Sequence, residues 1–350
     1  MPELRQDPAT KDWVVIATER SRRPDQFRRS APRTAPPAHD PKCPFCAGNE
    51  DRTPGELARL PAGPAPWQVR VVPNRFPALA PEGETKRTTL GGFFMRMDGV
   101  GHHEVVIETP AHNGFPASME DGEVETVLRA WRDRYRALRR DPRVKLIVIF
   151  KNHGEAAGTS LVHPHSQIVA TPVVPAYVRR KCEEALRYYD ATGRCLHTDI
   201  FESERKAAVR VTDENGHFFV FHPFASRAPF ETWIAPHRFR SSFGQANNPE
   251  LAALARVLRR TMVSFEDLLG DPDFNLVIHS APAGEEDEEY FCWHLQIVPR
   301  LTQIAGFEIG SGMYINTAIP EETARAVREG ILSRGLPASI RAGSRASSPS

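Results

Sequence analysis

The feature that most constrains this chain is a stretch that occurs twice. His163-Pro164-His165-Ser166-Gln167-Ile168-Val169 lies over Cys292-Trp293-His294-Leu295-Gln296-Ile297-Val298 with four identities in seven positions. Each copy closes a pattern of strand, helix and strand. In the first half, short β-branched runs at Trp13–Ala17, Val69–Val72, Glu104–Glu108 and Val144–Phe150 read as strands. Between the last two, Val124, Val127, Leu128, Trp131, Tyr135 and Leu138 recur at helical spacing behind an acidic first turn, which predicts an amphipathic helix over Met119–Arg139. The second half repeats the order, with strands at Ala208–Thr212, Phe218–His222 and Glu231–Ala235, a helix over Pro249–Leu269, and strands at Phe274–His279 and Trp293–Val298. In the same register Thr109-Pro110-Ala111-His112 lies over Ile234-Ala235-Pro236-His237. A duplicated α+β chain is the expectation, with convergence of two unrelated α+β domains as the alternative.

The length of 350 residues suits two such units, at roughly 100–200 residues each. We expect an N-terminal half over 1–180, a C-terminal half over 181–336 and a disordered tail over 337–350, with a charged connecting helix from Pro175 to Tyr189. Forty-five Lys and Arg against 44 Asp and Glu leave a net charge of +1, no global field for a nucleic acid or an anionic membrane. An anionic substrate must be gripped locally. No apolar run approaches the roughly 18 residues of a membrane span, and the first residues show no secretory h-region, so a cytoplasmic address is expected. Five cysteines suit free thiols or metal ligands better than a disulfide framework.

Cys43-Pro44-Phe45-Cys46 is the sharpest local signal, because two thiolates at that spacing can share one tetrahedral Zn²⁺. A redox pair would need a thioredoxin-like pattern around it, and none is present. The other two ligands are sought among His102, His103, His112, His153, His163 and His165. His112 and His163 stand out, since each sits where a strand meets an irregular segment; His112 as a plain loop residue is the bland reading. His163 and His165, two apart in an extended segment, project to one side. One ring can then hold the metal while the other acts as a nucleophile, or both can be ligands. Just upstream, Asn152 to Ser160 form a small-residue loop whose amides and Ser160 hydroxyl suit a phosphate.

The run Gly158-Thr159-Ser160-Leu161-Val162-His163-Pro164-His165-Ser166-Gln167, with Cys43, Cys46 and His112 upstream, resembles the galactose-1-phosphate uridylyltransferase branch of the histidine-triad superfamily. The resemblance runs from Trp13 to about Ala326. It implies two tandem histidine-triad-like halves, each a mainly antiparallel sheet with a crossing helix, in a homodimer. It implies that His165 is the nucleophile, that Cys43, Cys46, His112 and His163 hold Zn²⁺, that Gln167 bonds a phosphoryl oxygen and that Ser160 meets the departing sugar phosphate. Arg20, Arg23, Asn74, Asn152, Gly158 and Thr159 would line the substrate. The implied partners are a nucleotide sugar and a sugar 1-phosphate.

The second half departs from the enterobacterial pattern of a second metal site: its pair reads His294-Leu295-Gln296, and Gly306–Asn316 looks closer to a branch that includes plant nucleotide-sugar phosphorylases. Cys195, His197, His237 and Cys292 are a doubtful second ligand set. Three functions are therefore carried forward. The first moves UMP from UDP-glucose to galactose 1-phosphate through a nucleotidyl-histidine with ping-pong kinetics. The second is an ADP-sugar or other nucleotide phosphorylase or adenylyltransferase using the same histidine. The third, of a different class, is a zinc-stabilised nucleotide-binding protein without turnover.

Overall fold

The computed structural model describes residues 1–29, 33 and 35–334, so the tail expected to be disordered lies outside the described residues. A ten-stranded antiparallel sheet carries the chain. Its first five strands are β1 (Ala58–Leu60), β2 (Val69–Pro73), β3 (His102–Ile107), β4 (Leu146–His153) and β5 (His165–Thr171). The other five are β6 (Val211–Glu214), β7 (Phe218–Phe221), β8 (Thr232–Pro236), β9 (Phe274–His279) and β10 (His294–Pro299). Across the sheet the order is β6-β7-β8-β10-β9-β4-β5-β3-β2-β1. Each half inserts its fifth strand between its third and fourth, and the halves join where β4 pairs with β9, Asn152 opposite Asn275. The duplicated α+β architecture expected from the repeat is present, as one continuous sheet.

Helices α1 (Asp121–Leu138) and α4 (Asn248–Leu269) are the crossing helices. Asn247 caps α4: its side chain accepts from the Glu250 amide at 2.9 Å, while its own amide donates to the Glu250 carboxylate at 2.8 Å. Gly270, in the left-handed region at φ 74°, ends the helix. The apolar stripe of α1 packs with α4 and with both halves of the sheet in one core that includes Leu128, Trp131, Leu254, Ile168 and Ile297. Burial of a side chain such as Leu128 contributes about 1.5–3 kcal/mol. Trp131 Nε1 donates to Ser166 Oγ at 2.7 Å, so the even-numbered residues of β5 face this helix layer. His165 and Gln167, out of phase with Ser166, therefore face the other side.

On that other side the halves differ. Helices α2 (Ala176–Thr192) and α3 (Leu196–Ala207) cover the second half, where Phe201 packs with Phe219, Phe221, Trp233 and Cys292. Residue 180 falls inside α2. Helix α3 is not expected from the sequence, because only Leu196, Ile200 and Phe201 mark an apolar stripe before the run Glu202 to Lys206. The remaining helices are α5 (Gly306–Ser311) and α6 (Pro320–Ser333). A separate sheet pairs Glu3–Gln6 with Trp13–Ile16, and Tyr314–Asn316 runs parallel to the latter. Among the described residues no helix is long and apolar enough to cross a membrane.

One detail of the repeat register is corrected by the strand pairing. Ser166 lies opposite Val106, and its equivalent Leu295 lies opposite Ile234. Ile234 is thus the counterpart of Val106 rather than of Thr109, a shift of three residues. His237 falls close to the end of β8, where its Nε2 meets the Asn215 carbonyl at 2.9 Å, and it does not occupy the place of His112.

Candidate metal centre and nucleotide site

Cys43 and Cys46 sit in a tight turn, with the Cys43 amide bonded to the Asp40 carbonyl at 3.1 Å and the Cys46 amide to the Cys43 carbonyl at 3.3 Å. Asn49 Nδ2 secures the Cys43 carbonyl at 2.8 Å, and the Asp40 amide points at Cys46 Sγ at 3.3 Å. His112 is held beyond β3 by its amide on the Ala38 carbonyl at 2.9 Å. His163 enters just ahead of β5. Its Nε2–H donates to the Thr109 carbonyl at 2.7 Å, which leaves the Nδ1 lone pair free to face the thiols.

One ligand atom from each of Cys43, Cys46, His112 and His163 lies within 4.8 Å of all the others, and all four residues are buried. Cys46 Sγ is 3.4 Å from His112 Nδ1 and 3.6 Å from His163 Nδ1. A tetrahedral zinc with ordinary Zn–S and Zn–N bonds requires an S···N edge of about 3.6 Å. The donor chemistry agrees with the geometry. Burial pushes the Cys43 thiol up, with the neighbouring Cys46 adding to it, so a divalent cation is what would deprotonate this pair. Burial likewise holds His163 down at about 4, neutral and able to ligate. Among the described residues no second group of three such ligand atoms gathers within the same reach. Cys195 donates its thiol to the Tyr290 carbonyl at 3.4 Å, and His197 is packed against Phe291 and His294.

His165 opens β5 and is not drawn into the cluster. Its Nδ1–H donates to the His163 carbonyl at 2.9 Å, which fixes the tautomer and leaves the lone pair on Nε2. The edge of Phe45 lies against the ring, centroids 5.5 Å apart. The ring lines a cleft of roughly 800 Å³ together with Asn152, Thr159 and Ser160. Burial, reinforced by the Lys151 cation, holds His165 below the ordinary histidine value.

The other expected site residues fall in three places. Gln167 and Asn74 meet beside His103, outside the residues that line the cleft. His103 Nδ1 accepts from the Ala78 amide at 3.0 Å, so its Nε2–H donates to Gln167 Oε1 at 2.7 Å, and Asn74 Nδ2 lies 3.1 Å from the same nitrogen. Asn152 Oδ1 accepts from Asn275 Nδ2 at 2.8 Å, so the second half of the chain positions a residue of the cleft. Gly158 closes the loop in the left-handed region at φ 84° without lining the cleft. Arg23 is exposed on the cap of the turn Pro24–Phe27 and is not part of the cleft wall. Arg20 lies in the turn Thr18–Arg20, and its side chain is outside what is described.

Two arginines that no motif in the sequence singles out, Arg29 and Arg33, do line the cleft. Asp273 gathers both, Arg29 at 3.4 Å and Arg33 more closely, and accepts the Ala156 amide at 2.6 Å. Gly154 makes this possible: at φ 83° a Cβ would stand 2.2 Å from Asp273 Cγ. No signal in the spacing joins Arg33 to Asp273, 240 residues apart.

A family profile described as galactose-1-phosphate uridyl transferase, N-terminal domain, matches residues 1–175. An ADP-glucose phosphorylase from Arabidopsis thaliana is 36% identical over 94% of this chain and 93% of its own length. The chain belongs to the galactose-1-phosphate uridyl transferase family. Within that family, a galactose-1-phosphate uridylyltransferase from Thermotoga maritima is 30% identical over 94% of this chain and 98% of its own length. The crystal structure of an ADP-glucose phosphorylase from Arabidopsis thaliana with bound ADP-glucose superposes with a TM-score of 0.80, at 34% identity, covering 94% of this chain and 98% of that one.

This uridyl transferase family member also carries a buried ion pair beneath its histidine. Lys151 Nζ meets Glu108 Oε2 at 2.6 Å, each residue is 3% exposed, and Nζ also donates to the His165 carbonyl at 3.3 Å. Removing only the cation would strand a carboxylate, which costs about 3–5 kcal/mol. Lys151→Met should therefore lower the urea midpoint sharply, and adding Glu108→Leu should restore much of the loss. If the single and double variants unfold together, the pair is not an energetic unit.

Proposed function

We propose that this chain is a nucleotidyltransferase in which His165 Nε2 attacks the α-phosphorus of a nucleotide sugar. A nitrogen–phosphorus bond forms, the phosphoanhydride P–O bond breaks, and the sugar 1-phosphate leaves with its electron pair. The acceptor phosphate then takes the nucleotide from the same nitrogen, and His165 is regenerated. The observation that carries this reading is the committed Nδ1–H of His165, which leaves a neutral, lone-pair-bearing ring on a cleft large enough for the substrate. A non-catalytic nucleotide binder has no use for that arrangement.

The phosphates bring several negative charges, which must be offset before a neutral imidazole can approach phosphorus. Arg29 and Arg33 stand at the cleft wall, and although Asp273 and, for Arg33, Asp271 at 3.1 Å already offset part of their charge, their remaining N–H donors could meet phosphate oxygens. Ser160 would donate to the leaving sugar phosphate, with Thr159 and Asn152 beside it. Gln167 spends its carbonyl oxygen on His103, which frees its amide hydrogens for a nonbridging oxygen. Zn²⁺ held by Cys43, Cys46, His112 and His163 would supply a structural tie between the turn, the end of β3 and the start of β5 rather than a reacting group. With four protein ligands the site is closed, and His165 is left outside it.

Two substrate assignments remain within this chemistry: uridylyl transfer from UDP-glucose to galactose 1-phosphate, and an ADP-sugar phosphorylase reaction. Each has a relative behind it: the Arabidopsis thaliana phosphorylase at 36% identity supports the second and the Thermotoga maritima uridylyltransferase at 30% supports the first. Incubation of UDP-glucose or ADP-glucose, each with galactose 1-phosphate or inorganic phosphate, separates them. Glucose 1-phosphate release from ADP-glucose that depends on phosphate would assign the phosphorylase; UDP-galactose formation would assign the uridylyltransferase. Release from none of the four mixtures would sink both.

Attack requires a neutral ring, so the rate should fall as pH drops through the His165 pKa. Burial places that pKa below the ordinary value of about 6.5. The acid limb of kcat/KM should therefore lie below about pH 6.5, with activity retained where an exposed histidine would already be protonated. An acid limb above pH 7 would contradict the buried setting of the ring.

A further inference from the structure

A second cavity, of about 440 Å³, lies between α2, α3 and the open face of the second half of the sheet. It shares no lining residue with the His165 cleft. Its floor repeats the arrangement around Gln167. In the corrected register Gln296 is the counterpart of Gln167 and Glu231 of His103, and Gln296 Nε2 donates to Glu231 Oε1 at 2.7 Å as His103 donates to Gln167.

Most charged groups on the wall are already committed. Arg210 is paired with Glu204 at 2.9 Å, and Arg227 with Asp12 at 2.9 Å. Asp199 accepts from Tyr188 and Arg194, and Asp7 from Thr10 and the Ala9 amide. Glu231 accepts from Gln296, from Trp233 Nε1 and from the Arg227 amide.

Lys181 is the exception. It is 5% exposed, lines the cavity, and its ammonium has no hydrogen bond or ion pair among the described residues. Its one contact is with the face of Tyr177, 4.8 Å from the ring centroid. The buried histidines on the sheet beneath, His279 and His294, are held neutral and offer it no charge. An ammonium whose donors are unclaimed, set in the wall of an open cavity, is free to bond an incoming anion. The wall also carries Tyr177 and Phe224, half exposed, with Trp233; Arg227 lies over the Tyr177 ring at 5.5 Å and Arg5 over the Phe224 ring at 4.5 Å, so an incoming ring meets their open edges, beside carboxylates whose remaining lone pairs suit hydroxyl donors.

We propose that this cavity is a second ligand site for a hydroxylated ring bearing one acidic group, the acid against Lys181 and the ring against Tyr177 and Phe224. The acid is delivered as a phosphate ester or as a carboxylate; both present the same anionic oxygens to one ammonium. The site stands independently of the reaction assigned to His165.

Calorimetric titration of the full chain with glucose 6-phosphate, glucuronate and uncharged glucose tests it, in wild type, His165→Gly, Lys181→Met and Tyr177→Ala. Loss of a charge-assisted bond predicts that Lys181→Met weakens the acid by about tenfold or more. His165→Gly should leave this binding unchanged, and glucose should bind about tenfold more weakly than the better acid. Whichever acid binds names the source. Tyr177→Ala, at the half-exposed rim, should weaken the same binding and serves if Lys181→Met does not fold. Equal affinity in wild type, Lys181→Met and Tyr177→Ala would overturn the site, as would no binding of either acid up to roughly 10 mM, ten times the Kd of a weak 1 mM complex.

Discussion

His165→Gly is expected to abolish nucleotidyl transfer, with kcat reduced on the order of 10⁴-fold or more, as for removal of other covalent nucleophiles. The reason is specific to the covalent route. Without Nε2 no nitrogen–phosphorus bond can form, and the two half-reactions lose their shared intermediate. KM should change little, because the phosphate contacts proposed for Ser160 and the cleft wall do not pass through the ring. The fold should also survive, since the metal cluster closes without His165. Steady-state kinetics with the nucleotide sugar, together with a thermal melt, checks both halves of this expectation. A variant that keeps a tenth of wild-type kcat would remove His165 from the chemistry.

Cys46→Ser is expected to have the largest effect on stability. Cys46 Sγ is the atom that both His112 and His163 face, and the cluster ties a turn near residue 43 to strands more than sixty residues away. Loss of a closed structural zinc site should cost several kcal/mol, which for a chain of this size lowers Tm on the order of 10 °C. Elemental analysis should find about one zinc per chain in wild type and little in the variant. Incubation with a strong chelator should move the wild-type melt toward that of Cys46→Ser. A metal-free wild type with an unchanged melt would show that four buried donors gather here without an ion.

Much of the architecture was legible because it is local. The stripe from Val124 to Leu138 specifies α1, and the paired heptapeptides around His165 and His294 announce the duplication. The Cys43, Cys46, His112 and His163 set was also readable, since a C-x-x-C pair narrows the search and the family pattern fills it. What escaped depends on contacts between segments distant in sequence. Arg33 is held at the cleft by Asp271 and Asp273 from the second half, and Asn152 is aimed by Asn275 across the joint between β4 and β9. The three-residue offset of His237 escaped for a related reason: sequence identity can slide along a strand, whereas the hydrogen-bonded ladder cannot. Lys151 reads in the sequence as one charge at the end of an apolar run; only the fold shows it buried against Glu108 beneath the nucleophile.

On the proposed route the ring at position 165 becomes covalently nucleotidylated. Brief mixing of the protein with nucleotide sugar labelled at the α-phosphorus, followed by rapid denaturation at alkaline pH, measures this directly, because a phosphoramidate bond survives base and is cleaved by acid. Label is expected on wild type and none on His165→Gly, with the added mass mapping to the peptide that contains His165 and identifying the base. Label absent from a wild-type protein that turns over, or found on another residue, would contradict it.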